Sequence, residues 1–296
     1  MFCNRLLPGL LIVLTVIVSC RDAQNTSGNT WIFNPAIDAS YHFTIKEEEA
    51  LGGVDSVSDV VSSQVEWALQ CVAKDDSLRT MKLLIGPYVI NRQGINYSTA
   101  EKKWEKPVLS GFSGAAYSAL LIYYTQYVVG DSLLITIDRK GKVLRVKGFE
   151  RIVDTVTSLT QEDRRTVRAY LREFIGTESM QDRLTQLFQY LPGSEIKTGD
   201  NWISNMVLIA RAPVKYSNLL TVKDVRNDSV ILDVKAAISA STGEGGRVYA
   251  QGARKGAAVI SNSTGVLYSC ALLDSVTTNT DSQVYRRIRK LTIKRS

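Results

Sequence analysis

Few side chains in this sequence are of the kinds that make and break bonds, and they are scattered. His42 is the single histidine. It stands on an alternating stretch, Tyr41-His42-Phe43-Thr44-Ile45-Lys46, with no nucleophile assigned to it by the surrounding sequence. Gly111-Phe112-Ser113-Gly114-Ala115 lacks the last glycine of the elbow that exposes a catalytic serine. Ser194-Glu195-Ile196-Lys197 and Lys197-Thr198-Gly199 carry the letters of two serine–lysine motifs but share Lys197, where that chemistry uses two lysines. The glycine-rich stretch from Ser241 to Gly256 lacks the glycine, lysine, hydroxyl order that cradles phosphate. Cysteine and histidine spacings suit no metal ion. The expectation is a protein that is not an enzyme and that uses no cofactor, with a hydrolase of unrecognised type, His42 beside a serine and an acid, as the alternative. Cys71 and Cys270 fall one in each half of the chain. In an oxidising compartment they either form a disulfide or remain two buried thiols.

The strongest chemical signal is at the N-terminus. Residues 1–19 comprise a short region with Arg5, then an apolar run from Leu6 to Val18, as in an export signal. Ile17-Val18-Ser19-Cys20 resembles the bacterial lipobox, in which the cysteine is acylated and becomes the mature N-terminus. Cys20 would then anchor the protein in a membrane. Arg21 stands where an inner-membrane retention aspartate would be, so the periplasmic face of the outer membrane is expected ahead of the cell surface. Residues 20–40 are polar and read as a flexible tether. The formal charge of +7 falls to +6 without Arg5. The tail Arg286–Arg295 supplies six positive charges and no negative one, so the rest is near neutral. An exported protein rarely meets nucleic acid, which leaves a solvated final strand or a contact with acidic lipid.

The elements that would hold these residues read as a β-rich domain over 41–296. Period-two alternation predicts strands at 65–72 and 78–85, and a hairpin 133–146 that turns at Gly141, where positive φ is needed. A second set follows at 202–210, 219–225 with 230–238, and 257–260 with 266–272. These suggest loosely repeated halves, 41–156 and 200–296, joined by a helical pair over 159–191. In that pair Val167, Tyr170, Leu171, Phe174 and Ile175 form one apolar stripe, and Met180, Leu184, Leu187, Phe188 and Leu191 another. The expected class is α+β, with curved antiparallel sheets in two halves covered by helices at about 115–129 and 161–191.

The stretch Pro107–Gly130 has no charged residue. It contains enough serine, glycine and glutamine to argue for a buried helix over a membrane span. Tyr117, Leu120, Tyr123, Tyr124 and Tyr127 would line an apolar ligand site if one exists. The partners expected are therefore a membrane through the lipid, and either an apolar small molecule or an envelope protein. Ser56, Ser77, Ser132, Thr155, Ser229 and Ser275 each sit in an Asp-Ser/Thr-apolar triplet. Such triplets resemble a Bacteroidota O-glycosylation site and equally close a turn before a strand.

Taken together, the lipobox, the hairpin Thr136–Val146, the helical pair and the segment Leu191-Pro192 through Gly199-Asp200-Asn201-Trp202 resemble an uncharacterised family of Bacteroidota lipoproteins. The resemblance implies location and architecture. It implies no activity.

Overall fold

The computed structural model describes residues 30–53, 57–92, 95–99, 129–159, 164–165, 168–169, 177–208, 214–241, 249–279 and 284–296. The strands are β1 (Ser40–Gly52), β2 (Val57–Lys74), β3 (Leu78–Arg92), β4 (Ile95–Ser98), β5 (Ser132–Asp138) and β6 (Val143–Lys147) in the first half. In the second they are β7 (Asn201–Leu208), β8 (Val214–Val225), β9 (Ser229–Ser241), β10 (Tyr249–Ser261), β11 (Leu267–Asn279) and β12 (Val284–Arg295). Between the sets the described elements are the helices α1 (Phe149–Leu159) and α2 (Thr177–Phe188).

All twelve strands belong to one antiparallel sheet of order β6-β5-β3-β2-β1-β12-β11-β10-β9-β8-β7, with β4 paired to β3. This corrects the α+β expectation of two sheets under helical covers. Each half is a meander, and the first and last strands of the chain pair with each other, from Phe43↔Arg295 to Gly52↔Arg286. Short turns that permit antiparallel return explain the meanders. The two sets fuse because β1 and β12 leave their inner edges open to each other. Of the helices expected at 115–129 and 161–191, the first and most of the pair's opening half lie outside the described residues. α2 matches the second apolar stripe, and α1 occupies a stretch read as the end of the first half.

The sheet curls until both its edges, β6 and β7, reach α2. Leu184, Leu187 and Phe188 on that helix are buried. Gln181 donates to the Val143 carbonyl on β6 (2.7 Å), and Gln189 just beyond the helix accepts from Asn218 Nδ2 on β8 (3.1 Å). The helix is thus fastened to both margins of the roll. Two glycines of β10 lie close against the β11 backbone. A Cβ on Gly252 would lie 2.2 Å from the Ser275 carbonyl oxygen, and one on Gly256 2.0 Å from that of Ala271. Only glycine permits that approach.

One end of the roll is closed. The segment from Trp31 to Pro35 runs across it, with backbone bonds from Trp31 to Ser194 (2.9 Å), Phe33 to Arg139 (2.8 Å) and Asn34 to Thr264 (2.8 Å). Trp31 meets Trp202 edge-on at 6.1 Å, and Phe33 meets Phe188 at 4.9 Å. These rings join a single core drawn from both halves, including Leu69, Met81, Ile135, Phe149, Leu232 and Leu272. Around this core the inward residues are apolar, and the outward ones mix apolar side chains such as Leu84 and Leu134 with exposed Lys46, Glu48, Glu66, Lys82, Lys235, Lys255 and Lys290. Among the described residues no helix is long and apolar enough to cross a membrane.

Candidate functional site

Beyond the apolar core the inner face changes character. β1, β12, β11 and β10 are neighbours there, and each contributes charge. Arg254 and Asp274 are opposite each other in the β10·β11 register, so their side chains share the inner face. Arg254 donates from Nε to Asp274 Oδ1 (2.7 Å) and from Nη2 to Oδ2 (2.9 Å). Their side chains are 0% and 5% exposed. The guanidinium lies 4.3 Å over the Tyr216 ring, and the Tyr216 hydroxyl reaches Asp274 Oδ2 at 3.5 Å. Arg289 donates from Nε to Glu47 (2.6 Å) and lies 3.9 Å from Asp274. Arg287 donates to Glu49 (2.6 Å). Three arginines thus face three carboxylates across four adjacent strands.

Burial alone would disfavour charge on these arginines. The Glu47 carboxylate more than offsets this for Arg289, and the Asp274 hydrogen bonds do so for Arg254; both are held more firmly protonated than usual. Burial, reinforced by Asp274, raises the Tyr216 hydroxyl above its ordinary pKa. Tyr190 lies at the apolar margin of the row beside Cys270. Burial pushes its hydroxyl well above the usual tyrosine value and lifts the Cys270 thiol to about 11. Arginine cannot release a proton in a protein. The row can therefore hold and orient charge, but its arginines cannot relay protons. Nη1 of Arg254 is buried without a hydrogen-bond partner. Past the row, Met206, Tyr216, Ile238, Ala240, Ala250 and Val276 form a second apolar cluster.

The residues singled out from sequence are dispersed. Cys71 on β2 and Cys270 on β11 are buried free thiols. In strand order β1 and β12 stand between theirs. Cys20, Ser56, Tyr117, Leu120, Tyr123, Tyr124 and Tyr127 lie outside the described residues. Ser77 is exposed in the β2–β3 turn, where its hydroxyl bonds Asp75 (3.0 Å). Thr155 is exposed on α1 and donates to the Arg151 carbonyl (2.9 Å). Ser132 and Ser275 are half-buried on strands, and Ser229 is buried. His42 is exposed on the outer face, opposite Ala68. Among the described residues no group of three or more His, Cys, Asp or Glu side chains could hold a metal.

The ionic row itself was missed. Glu47-Glu48-Glu49 reads as a solvated strand end and the basic tail as a solvated strand. Alternation sends Glu47, Glu49, Arg287 and Arg289 inward, and leaves Glu48 to meet Lys290 outside at 3.4 Å. No local signal gave it: a bulge between Val259 and Ile260 shifts the β10·β11 register, so counting back evenly from the hairpin turn does not set Arg254 across from Asp274.

No curated protein matches the chain. Among solved structures, an outer membrane channel from Pseudomonas putida F1 aligns over 89% of this chain and 97% of its own, at 7% identity and a TM-score of 0.22. The outer membrane protein opdK from Pseudomonas aeruginosa aligns over 88% and 100%, at 6% identity and a TM-score of 0.21. Similarity this low establishes no common fold. A family profile matches residues 91–267, from β3 through the helices to the start of β11. The chain therefore belongs to the family of unknown function DUF6263.

Proposed function

We propose that this is a lipid-anchored, non-catalytic protein of the bacterial envelope, acting as a binding or structural module on the periplasmic face of the outer membrane. The export signal and Cys20 support the anchor. The observation that carries the non-catalytic reading is where the reactive groups lie. His42 stands on the outer face beside alanine, the Cys270 thiol is buried with its pKa raised to about 11, and the interior carboxylates Glu47, Glu49 and Asp274 are tied to arginines. The intact mass of the mature chain, extracted from its own membranes, tests the anchor. A mass beginning at Cys20 with acyl chains is expected, and an unmodified mass would remove this reading. The same spectrum tests for glycans, for which exposed Ser77 and Thr155 are better placed than buried Ser229.

A second reading is a carrier of apolar ligands. It is favoured by the small apolar lining past the ionic row, Ala240 and Ala250 with Ile238 and Val276, although Trp31, Phe33 and α2 fill the closed end. Native mass spectrometry with lipid extraction separates the two. A copurifying apolar molecule selects the carrier, and a clean apo mass selects the structural module.

A further inference from the structure

The β5–β6 hairpin carries one-sided charge. Arg139, Lys140, Lys142, Arg145 and Lys147 are all exposed, and no acidic residue stands between 139 and 147. On β6, an edge strand, lysine and arginine discourage pairing with foreign strands. That does not account for Arg139, Lys140 and Lys142, which lie on the turn at the closed end. Asp138, which precedes them, turns its carboxylate onto the backbone N–H groups of Lys140 (2.9 Å) and Lys142 (2.8 Å).

The chain enters the fold beside this turn, through the bond from Phe33 N–H to the Arg139 carbonyl. Cys20 precedes Thr30 by ten residues, which span at most about 33–36 Å. β10 and β11, at thirteen residues each, run about 43 Å at roughly 3.3 Å per residue. The tether is shorter than the strands, so it could not run back along them to seat their far end on a membrane. Seating the closed end requires no stretch. Ile37 is also at this end, 54% exposed, beside the bond from Asp38 N–H to the Cys71 carbonyl.

We infer that the closed end of the roll is the membrane-facing surface, with Arg139, Lys140 and Lys142 set against anionic phospholipid headgroups and the opposite strand ends held away. The inference rests on the lipid-anchored reading above. Basic side chains next to an anchor are drawn to an anionic surface, and the attraction fades within a Debye length.

The test uses the full chain, processed in a bacterium and added to vesicles of phosphatidylcholine and phosphatidylglycerol. Cys71 and Cys270 are buried, so one introduced thiol can be labelled selectively. Asn227→Cys places a fluorophore at the closed end and Asn279→Cys at the far end, both on exposed positions. A nitroxide on the lipid headgroup should quench the label at 227 several-fold more than the label at 279. The double variant Lys140→Glu/Lys142→Glu should weaken that quenching at least about twofold, as should pure phosphatidylcholine. Equal quenching, or stronger quenching at 279, overturns the orientation. Quenching at 227 that ignores both the charge reversal and the lipid composition overturns the headgroup contact. A mature mass without acyl chains overturns the anchored reading, and the orientation with it, so the two failures are told apart.

Discussion

Arg254 and Asp274 exchange two hydrogen bonds with almost no access to water. A buried pair of this kind stabilises little over an apolar pair of equal volume, yet breaking it strands a charge. Asp274→Ala should therefore cost about 3–5 kcal/mol in urea unfolding, and Arg254→Met/Asp274→Leu should recover most of it. Cys270 gives a pH test. Its folded pKa of about 11 exceeds the ordinary 9.0, so the folded state holds the thiol proton more tightly. That stability is complete below pH 9 and disappears as pH rises toward 11, on the order of 2–3 kcal/mol. Tyr190, shifted the same way, adds to the loss at still higher pH. Cys270→Ala should flatten the fall between pH 9 and 11. The exposure and chemistry of these residues were hard to read in sequence. Burial of Asp274 depends on Arg289 from β12 and Tyr216 from β8, neither local to it.

At the scale of elements, β10 packs its glycines against β11 and α2 bridges the margins of the sheet. Gly252→Val would push a side chain into the Ser275 carbonyl at 2.2 Å; overpacking of this sort costs about 1–3 kcal/mol or more, readable as a lowered urea midpoint. Gln189→Leu would leave buried Asn218 Nδ2 with only the Ser204 carbonyl and should cost about 1–2 kcal/mol in the same assay. The hairpins were legible because each carries its own alternation and turn chemistry. Gly141 and Gly265 indeed adopt positive φ, 81° and 67°. α2 was legible because Leu184, Leu187 and Phe188 repeat at helical spacing. The curl was not legible. Glycine within a strand shows that a backbone comes close but not which one.

For the whole molecule, the seam between β1 and β12 makes one sheet of two meanders. Its register places Glu49 opposite Arg289 and Glu47 opposite Leu291, and each carboxylate reaches an arginine diagonally, Arg287 and Arg289 in turn. A slip of one residue would reverse every side chain on β12 between core and solvent. The acidic triplet and the basic tail, some 240 residues apart, thus complement each other, a relation no local pattern contains. Removing residues 284–296 should abolish cooperative unfolding, because β1 and β11 would both lose a partner; circular dichroism during thermal denaturation shows this directly.

The seam also sets an order of events in time. β12 emerges after the other described strands when the chain is made or exported N-terminus first, and its partner β1 before them. Until it arrives, β1 presents an unpaired margin ten residues long, a template for mispairing and aggregation. Closure joins segments some 240 residues apart, which places folding at the slow end of the range for such domains. Export kinetics, and any chaperone that shields the waiting edge, would then govern yield as strongly as the stability of the finished fold.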